Sequence, residues 1–364
     1  MMKLLLGGSP CTRWSIAQTK NRETEASGIG WELFLNYRIA RDKYRPDFFL
    51  YENNKSMSPA IRAQITAELG VEPVLINSAL VSAQNRQRLY WVGRRNPDGT
   101  YSQVAVELPV DRGILLRDIL ETGEAWREKA YTLKAQYFKN GIANFITNGG
   151  YNATAIAEPV RIATLESDAK NADFDSQQYR VYSPDGKSVT LCGNGGGVGA
   201  KTGLYAVPWN GKTYPVYEVK DGLITIKDKQ YPIKLRDGLY IIRKLTVTEC
   251  KRLQTVPESY VFPVSPTQAY KMLGNGWTVD VIAHILSHAS YITEEPLEVL
   301  SMYDGMSCGH IALDKLGAHV ERYYATEIDK YAIQTTQTNY PNTVQLGDAF
   351  QVRDENWRIP NETI

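Results

Sequence analysis

The sequence predicts an α/β fold on a mostly parallel sheet, and three observations carry that prediction. Short apolar runs alternate with amphipathic stretches over residues 3–77. The same alternation returns over residues 297–348, where each apolar run stops at a glycine or an acidic residue. Between them, over residues 100–243, Gly, Tyr, Asn and Thr crowd around short β-like runs, the mark of a separate module.

Taken in order, residues 3–6 read as a buried strand that stops at Gly7-Gly8. Residues 31–39 form an amphipathic helix, residues 48–51 a strand closing at Glu52, residues 58–69 a helix and residues 74–77 a strand. Residues 193–199 hold five glycines in seven positions. After the middle module, Thr246-Val247-Thr248-Glu249 has the spacing of a capping box and opens a helix. Residues 265–273 and 278–289 read as two more helices, separated by Gly274-Asn275-Gly276. The bridge 290–296 is short, so the second of these helices should pack beside the strand that follows. That strand is 297–303. Asp304-Gly305 turns it, 311–316 is helical, 320–326 is a strand ending at Glu327 and Asp329, and 330–338 is helical. Residues 343–346 then lead into Gly347-Asp348. Strand, turn, helix, strand, acid is the order of a nucleotide-binding βαβ unit, with ligands at the carboxyl ends of the strands. The expected division is 1–100 and 261–364 as two parts of one Rossmann-like domain, and 101–260 as a smaller β- and loop-rich domain inserted between them.

Composition narrows the function classes. A chain of 364 residues with 43% hydrophobic content can bury a substantial core. Cys11, Cys192, Cys250 and Cys308 lie far apart with no CxxC or His-rich spacing, which argues against a disulfide framework and against a metal site. No stretch approaches the ~18 apolar residues of a membrane helix, and the apolar start is shorter than the ~7–15 residues of a signal peptide core. A cytoplasmic protein without membrane contact is the expectation. Net charge is +1, but residues 1–100 carry 14 basic and 9 acidic side chains, and residues 291–364 carry 5 and 12. A basic end and an acidic end suit a protein that touches phosphates on one side, although an ordinary solvated surface reads the same way.

Three stretches carry chemistry: Gly8-Ser9-Pro10-Cys11 at a tight turn after a strand, Glu52-Asn53 at the end of another, and Gln84-Asn85-Arg86-Gln87-Arg88 with its arginines on one face of a strand. Each alone has a plain structural reading. Together they are strand ends that can converge on one rim of one sheet.

Jointly these segments resemble the DNA cytosine-5 methyltransferase family, of the bacterial and phage restriction type. Gly8 to Cys11 resembles its nucleophile loop, Glu52-Asn53 the start of its Glu-Asn-Val signature, and Gln84-x-Arg86-x-Arg88 its Gln-x-Arg-x-Arg signature. Gln268-Ala269-Tyr270 with Gly274-Asn275-Gly276 resembles its last motif, and Tyr303-Asp304-Gly305 with Gly309 its cofactor loop. The family order is rotated: the cofactor segments come last, as in a circular permutation cut between the adenine-binding acid and the nucleophile loop. Met1 and Ile364 should then lie close together, on strands of one sheet. Asn54, Thr12 and Ile328 stand where the family usually has Val, Gln and an aromatic residue, which leaves every reacting group in place.

The resemblance implies a methyltransferase domain that takes S-adenosylmethionine and double-stranded DNA. Cys11 would be the nucleophile, Glu52 the acid at the cytosine ring, Arg88 the group at its O2 edge, and Arg86 a support for the loop and nearby phosphates. Pro10, Asn275, Tyr303, Asp304, Gly305, Gly309, Glu327, Ile328 and Asp348 would meet the cofactor, with Glu327 on the ribose, Asp348 on the adenine amino group and Tyr303 near the adenine. The inserted module would be the target-recognition domain. There Gln177 or Gln178 would fill the space of a flipped base, Arg180 would read a guanine, and Thr190, Gly195, Gly196 and Gly197, with Ser15 outside the module, would touch DNA. The protein would act as a monomer in a bacterial or phage-infected cell. A cognate restriction endonuclease, not physically bound, is an open companion. A cytosine methyltransferase acting on RNA and a catalytically inactive DNA-binding homologue are the alternatives.

Overall fold

The computed structural model describes residues 1–15, 21–139, 145–146, 153–159, 163–164, 180–182, 204–205, 216–226, 229–289 and 291–360. They divide into two compact units. The first comprises Met1–Ile114, Thr132–Phe138 and Cys250–Ile364, and the second Leu115–Tyr131 and Lys139–Glu249.

The first unit begins with β1 (Met2–Gly7), a 3-10 turn at Cys11–Arg13, α1 (Gly28–Tyr44), β2 (Phe48–Asn54), α2 (Pro59–Leu69), β3 (Pro73–Asn77), β4 (Gln87–Arg95) and β5 (Tyr101–Gln103). α1 runs longer than its amphipathic stretch in both directions. α2 starts where expected: Ser58 accepts from the Ile61 N–H at 3.2 Å, Pro59 follows, and Gly70 closes the helix in the left-handed conformation. The second unit holds a five-stranded sheet and a three-stranded one. In the first, β6 (Ala155–Pro159), β10 (Val216–Lys220), β11 (Leu223–Ile226), β12 (Lys229–Pro232) and β13 (Gly238–Lys244) pair antiparallel. The second consists of β7 (Ala163–Thr164), β8 (Arg180–Tyr182) and β9 (Leu204–Tyr205). The polar anchor of the five-stranded sheet is Arg243 on β13, whose guanidinium reaches Glu158 at 2.6 Å and the fully buried Glu249 at 2.8 Å. The capping box forms as expected: Thr246 N–H donates to Glu249, and Glu249 N–H donates to Thr246 Oγ.

The chain returns to the first unit at Cys250 and, after the helices Pro266–Asn275 and Val279–Leu286, continues with β14 (Leu297–Met302), the helix Cys308–Leu316, β15 (Val320–Thr326), the helix Lys330–Asn339 and β16 (Val344–Gly347). The main sheet has the order β16-β15-β14-β1-β2-β4-β3, with β5 on β4. The five strands from β16 to β2 are parallel, and β4 runs against its three partners β2, β3 and β5. The fold is therefore mixed α/β on a mostly parallel sheet, as the alternation predicts. β1 is an interior strand: Met2–Gly7 pair with Leu297–Met302, while Leu4–Gly7 pair with Phe48–Tyr51. Leu4, Leu5 and Leu6 are accordingly buried on both faces, which explains an uninterrupted apolar run. From β14 the chain winds outward through β15 to β16, and from β1 it winds the other way to β2. The β14–β1 boundary is thus a topological switch point, where open α/β sheets bind ligands. The expected end-to-end approach involves Ile364, which lies outside the described residues.

Candidate active site

The register of the parallel strands sets the site. Tyr51 pairs with Gly7, Gly7 with Met302, Met302 with Thr326, and Thr326 with Gly347. The last residues of β1, β14, β15 and β16 therefore lie level with Tyr51, β2 continues past that level to Asn54, and Glu52, Gly8, Tyr303, Glu327 and Asp348 share one rim. β4 enters the same rim from the opposite direction, because Arg88 pairs with Asn54. The three chemistry-bearing stretches converge for this reason.

On one side of the switch point the polar groups are interlocked. Glu52 is 9% exposed. Its carboxylate accepts from Arg88 Nε at 3.0 Å and from Trp277 Nε1 at 2.9 Å. Beneath it, Ser9 Oγ and Tyr51 OH share a hydrogen bond of 2.6 Å, and Asn53 Nδ2 donates to Ser9 O at 3.2 Å and Tyr51 OH at 3.1 Å. The loop leading to Cys11 is thus tied to β2 from below. Pro10 is exposed and Cys11 half-buried, and the Cys11 carbonyl accepts from the Trp14 and Ser15 N–H groups at 3.0 Å each. Arg86 is buried, and its guanidinium donates to the carbonyls of Leu133, Gly274 and Gly276 at 2.8–3.3 Å. Burial pushes its pKa down to about 10, helped by the charge of Arg88. The sequence reading gave Arg86 the loop and nearby phosphates; its observed partners are backbone carbonyls.

The other side is more open. Tyr303 and Ser307 both lie in the left-handed region, with φ of 61° and 57°, and Gly305 between them has φ of 60°. A Cβ on Gly305 would meet no atom within 4 Å, so a ligand can approach its backbone. Gly305 N–H donates to Glu327 Oε2 at 2.8 Å, and the other Glu327 oxygen accepts from the Ile328 and Asp329 N–H groups. Ile328 is 74% exposed. Asp348 is exposed and caps the turn after β16 through the Phe350 N–H at 3.0 Å. Asn275 is exposed as well. Asp304 accepts from Tyr323 OH at 2.8 Å and from Ser307 Oγ, and burial pushes its carboxyl up to about 6.

Two of the expected cofactor residues also have partners within the protein. Tyr303 OH donates to the Leu33 carbonyl at 2.7 Å, fixing the ring against α1. A Cβ on Gly309 would stand 2.6 Å from Leu6 Cδ1, so this glycine lets the helix Cys308–Leu316 pack on β1. In the second unit Arg180 opens β8, while Gln177, Gln178, Thr190, Gly195, Gly196 and Gly197 lie outside the described residues. Sequence reasoning missed Trp277: it singled out Gly274-Asn275-Gly276 just before it, but nothing there points to Glu52, 225 positions away. No cluster of potential metal ligands occurs among the described residues, and none of their helices is long and apolar enough to cross a membrane.

Residues 1–290 match the family described as C-5 cytosine-specific DNA methylase. The chain is 35% identical over 292 residues to the type II methyltransferase M.HhaI of Haemophilus parahaemolyticus, covering 78% of this chain and 74% of that protein. It is 28% identical over 291 residues to the type II methyltransferase M.HpaII of Haemophilus parainfluenzae, covering 77% and 69%. Among solved structures it is similar to the methyltransferase EhMeth of Entamoeba histolytica, at 12% identity and a TM-score of 0.37 over 78% of this chain and 76% of the other.

Proposed function

The chain belongs to the C-5 cytosine-specific DNA methylase family and is a DNA (cytosine-5) methyltransferase, and from that premise we propose that it methylates a cytosine flipped out of duplex DNA through a covalent adduct on Cys11. The observation that carries this reading is the shared rim: a half-buried cysteine, a carboxylate held between an arginine and an indole, and an open acid-flanked loop, brought to one level by the register of the parallel strands.

Carbon 5 of cytosine is a poor nucleophile. The Cys11 thiolate adds to carbon 6 and forms the Sγ–C6 bond, which pushes electron density towards carbon 5 and ring N3. Glu52 gives a proton to N3, so the ring never carries a full negative charge. Arg88, already 3.0 Å from Glu52, holds the O2 edge. After the methyl joins carbon 5, a base takes the carbon 5 proton, N3 returns its proton to Glu52, the Sγ–C6 bond breaks with its electrons on sulfur, and aromaticity returns. The target atoms are closed off inside a stacked duplex, so the base must leave the stack first.

The residues present fit S-adenosylmethionine. Gly305 leaves open space, Glu327 ends β15 with a carboxylate suited to a ribose diol, Asp348 ends β16 with an acceptor suited to an adenine amino group, and Ile328 offers an apolar surface beside them. When bound, that group supplies an electrophilic methyl on a sulfonium. The register between β14 and β1 supports reading the chain as circularly permuted, since the carboxyl strands complete the sheet beside the nucleophile loop. Target recognition is proposed for the second unit, through Gln177 or Gln178 at the vacated base position, Arg180 at a guanine, and Thr190 and Gly195 to Gly197 along the strand. Ser15, next to the nucleophile turn, would add a contact from the first unit. The proposed working form is a monomer, without a bound endonuclease.

The test is transfer of a labelled methyl from S-adenosylmethionine to duplex DNA and to RNA of the same sequence. Label in the duplex, its loss with Cys11→Ser, and a denaturant-resistant complex with duplex carrying 5-fluorocytosine are expected, because fluorine cannot leave as a proton does. Label in RNA alone, or a fully active Cys11→Ser variant, would refute the reading.

A further inference from the structure

We propose that Trp277 is a positioning residue for Glu52: its indole N–H fixes the carboxylate, and the loop that carries it is clamped so that this contact keeps its place. The inference rests on the reading of Glu52 as the acid at the cytosine ring. Trp277 Nε1 donates to Glu52 Oε2 at 2.9 Å, while Arg88 takes the other oxygen at 3.0 Å. Each carboxylate oxygen thus has its own donor, from elements far apart in the sequence. A carboxylate held at both oxygens keeps one orientation instead of sampling several.

The space around the pair agrees. A Cβ on Gly8 would stand 2.9 Å from Glu52 Oε2 and 3.3 Å from Trp277 Nε1. The contact therefore occupies the volume a side chain at residue 8 would need, and the glycine before the nucleophile turn has a role besides bending the chain. The loop under Trp277 is anchored independently. Arg86 and Gln254 both donate to the Gly276 carbonyl, at 2.8 and 3.3 Å, and Gln254 also reaches the Leu273 carbonyl at 2.6 Å. Thr278 bonds to Gln254 at 2.9 Å and to Ser78 at 2.8 Å. On the other side the Trp277 backbone N–H serves the buried Cys308 thiol, at the start of the helix that follows the proposed cofactor loop. Trp277 therefore links the carboxylate to that helix.

Trp277→Phe keeps an aromatic ring and removes the donor. The expected result is a kcat about 10-fold lower, the size of a lost hydrogen bond to a charged group. Equilibrium affinity for S-adenosylmethionine and the unfolding midpoint should stay near wild type. Gly8→Ala pushes on the same pair from the other side and should show the same split between kcat and cofactor affinity. The double variant should lose little beyond the worse single variant, because both act through one carboxylate. An unchanged kcat in Trp277→Phe would overturn the proposal. So would a loss of cofactor affinity as large as the loss of rate, which would make the ring a wall of the cofactor site. If Trp277→Phe does not fold, Gly8→Ala decides alone, and an unchanged kcat there overturns the proposal. A wild-type protein that transfers no methyl to DNA, or a Glu52→Gln variant at full rate, would refute the reaction reading and this inference together. An active, Glu52-dependent enzyme indifferent to both other changes would refute this inference only.

Discussion

The two halves of the rim are built differently. Around β1, β2 and β4, side chains bond to side chains or to distant carbonyls: Ser9 with Tyr51 and Asn53, Glu52 with Arg88 and Trp277, Arg86 with Leu133, Gly274 and Gly276. Beyond β14, β15 and β16, Glu327 and Asp348 accept from backbone N–H groups beside open or exposed positions. The difference follows from what each half would meet. Charge that appears briefly on a reacting ring is best stabilised by groups already fixed in place, since their orientation then costs nothing at the moment of reaction. A ligand that enters and leaves every cycle needs edges it can reach, and there Asp348 is exposed and Glu327 half-buried.

Substitutions can break this contrast. The largest effect is expected from Glu52→Gln, with kcat lower by about 10³-fold, as for loss of a general acid, and unchanged equilibrium affinity for S-adenosylmethionine. A matching fall in affinity would mean that the halves are not separate. Next comes Arg86→Ala, which strips a buried donor from three carbonyls. It should cost about 3 kcal/mol of stability by urea denaturation, because the Leu133 and Gly274 carbonyls lose this donor while Gly276 keeps Gln254. A stability within error of wild type would show the clamp to be dispensable. Smaller again is Glu327→Gln: cofactor affinity about 10-fold weaker, the size of one charge-assisted contact, with the unfolding midpoint unmoved. An unchanged affinity in calorimetry would remove Glu327 from the site.

The same contrast explains what was legible in the sequence. Strand ends were legible at Gly8, Glu327 and Asp348, because a buried parallel strand is a continuous apolar run; β2 differs, running through Glu52 to Asn54 where it pairs with β4. The central place of β1 followed from motif order. The interlocked half was legible only in its charged members. Trp277 stands 225 positions from Glu52, and nothing local in Gly276-Trp277-Thr278 announces a partner so distant. Residues 132–138 read as part of the middle module by composition, yet they belong to the first unit, where Leu133 N–H donates to Gln84 Oε1 at 2.6 Å and the Leu133 carbonyl accepts from Arg86. Gly309 shows how one residue type can serve two purposes. A glycine that admits a ligand and a glycine that admits a neighbouring helix are identical until Leu6 is seen against it.

Asp304 sharpens the comparison from the open half. Burial pushes its carboxyl up to about 6, against hydrogen bonds from Ser301, Ser307 and Tyr323 that favour the ionised form. A folded-state pKa above the unfolded value means that the native protein holds a proton the unfolded chain has already released. The stability this confers is complete below the unfolded value near 4, and is lost as pH rises through about 6. Asp304→Asn cannot ionise, and its amide oxygen can still accept from Tyr323 OH. The variant should therefore match wild type in thermal unfolding at pH 4 and exceed it at pH 8 by roughly 1–2 kcal/mol, discounted for partial exposure. A positively charged ligand beside Asp304 would favour its ionised form, so the same variant should bind S-adenosylmethionine more weakly at pH 8. Gained stability with lost affinity would mark Asp304 as a charge kept in an unfavourable place for the sake of a ligand. Gained stability with intact affinity would assign it to the fold alone, and would leave the open half with Glu327 and Asp348 as its working carboxylates.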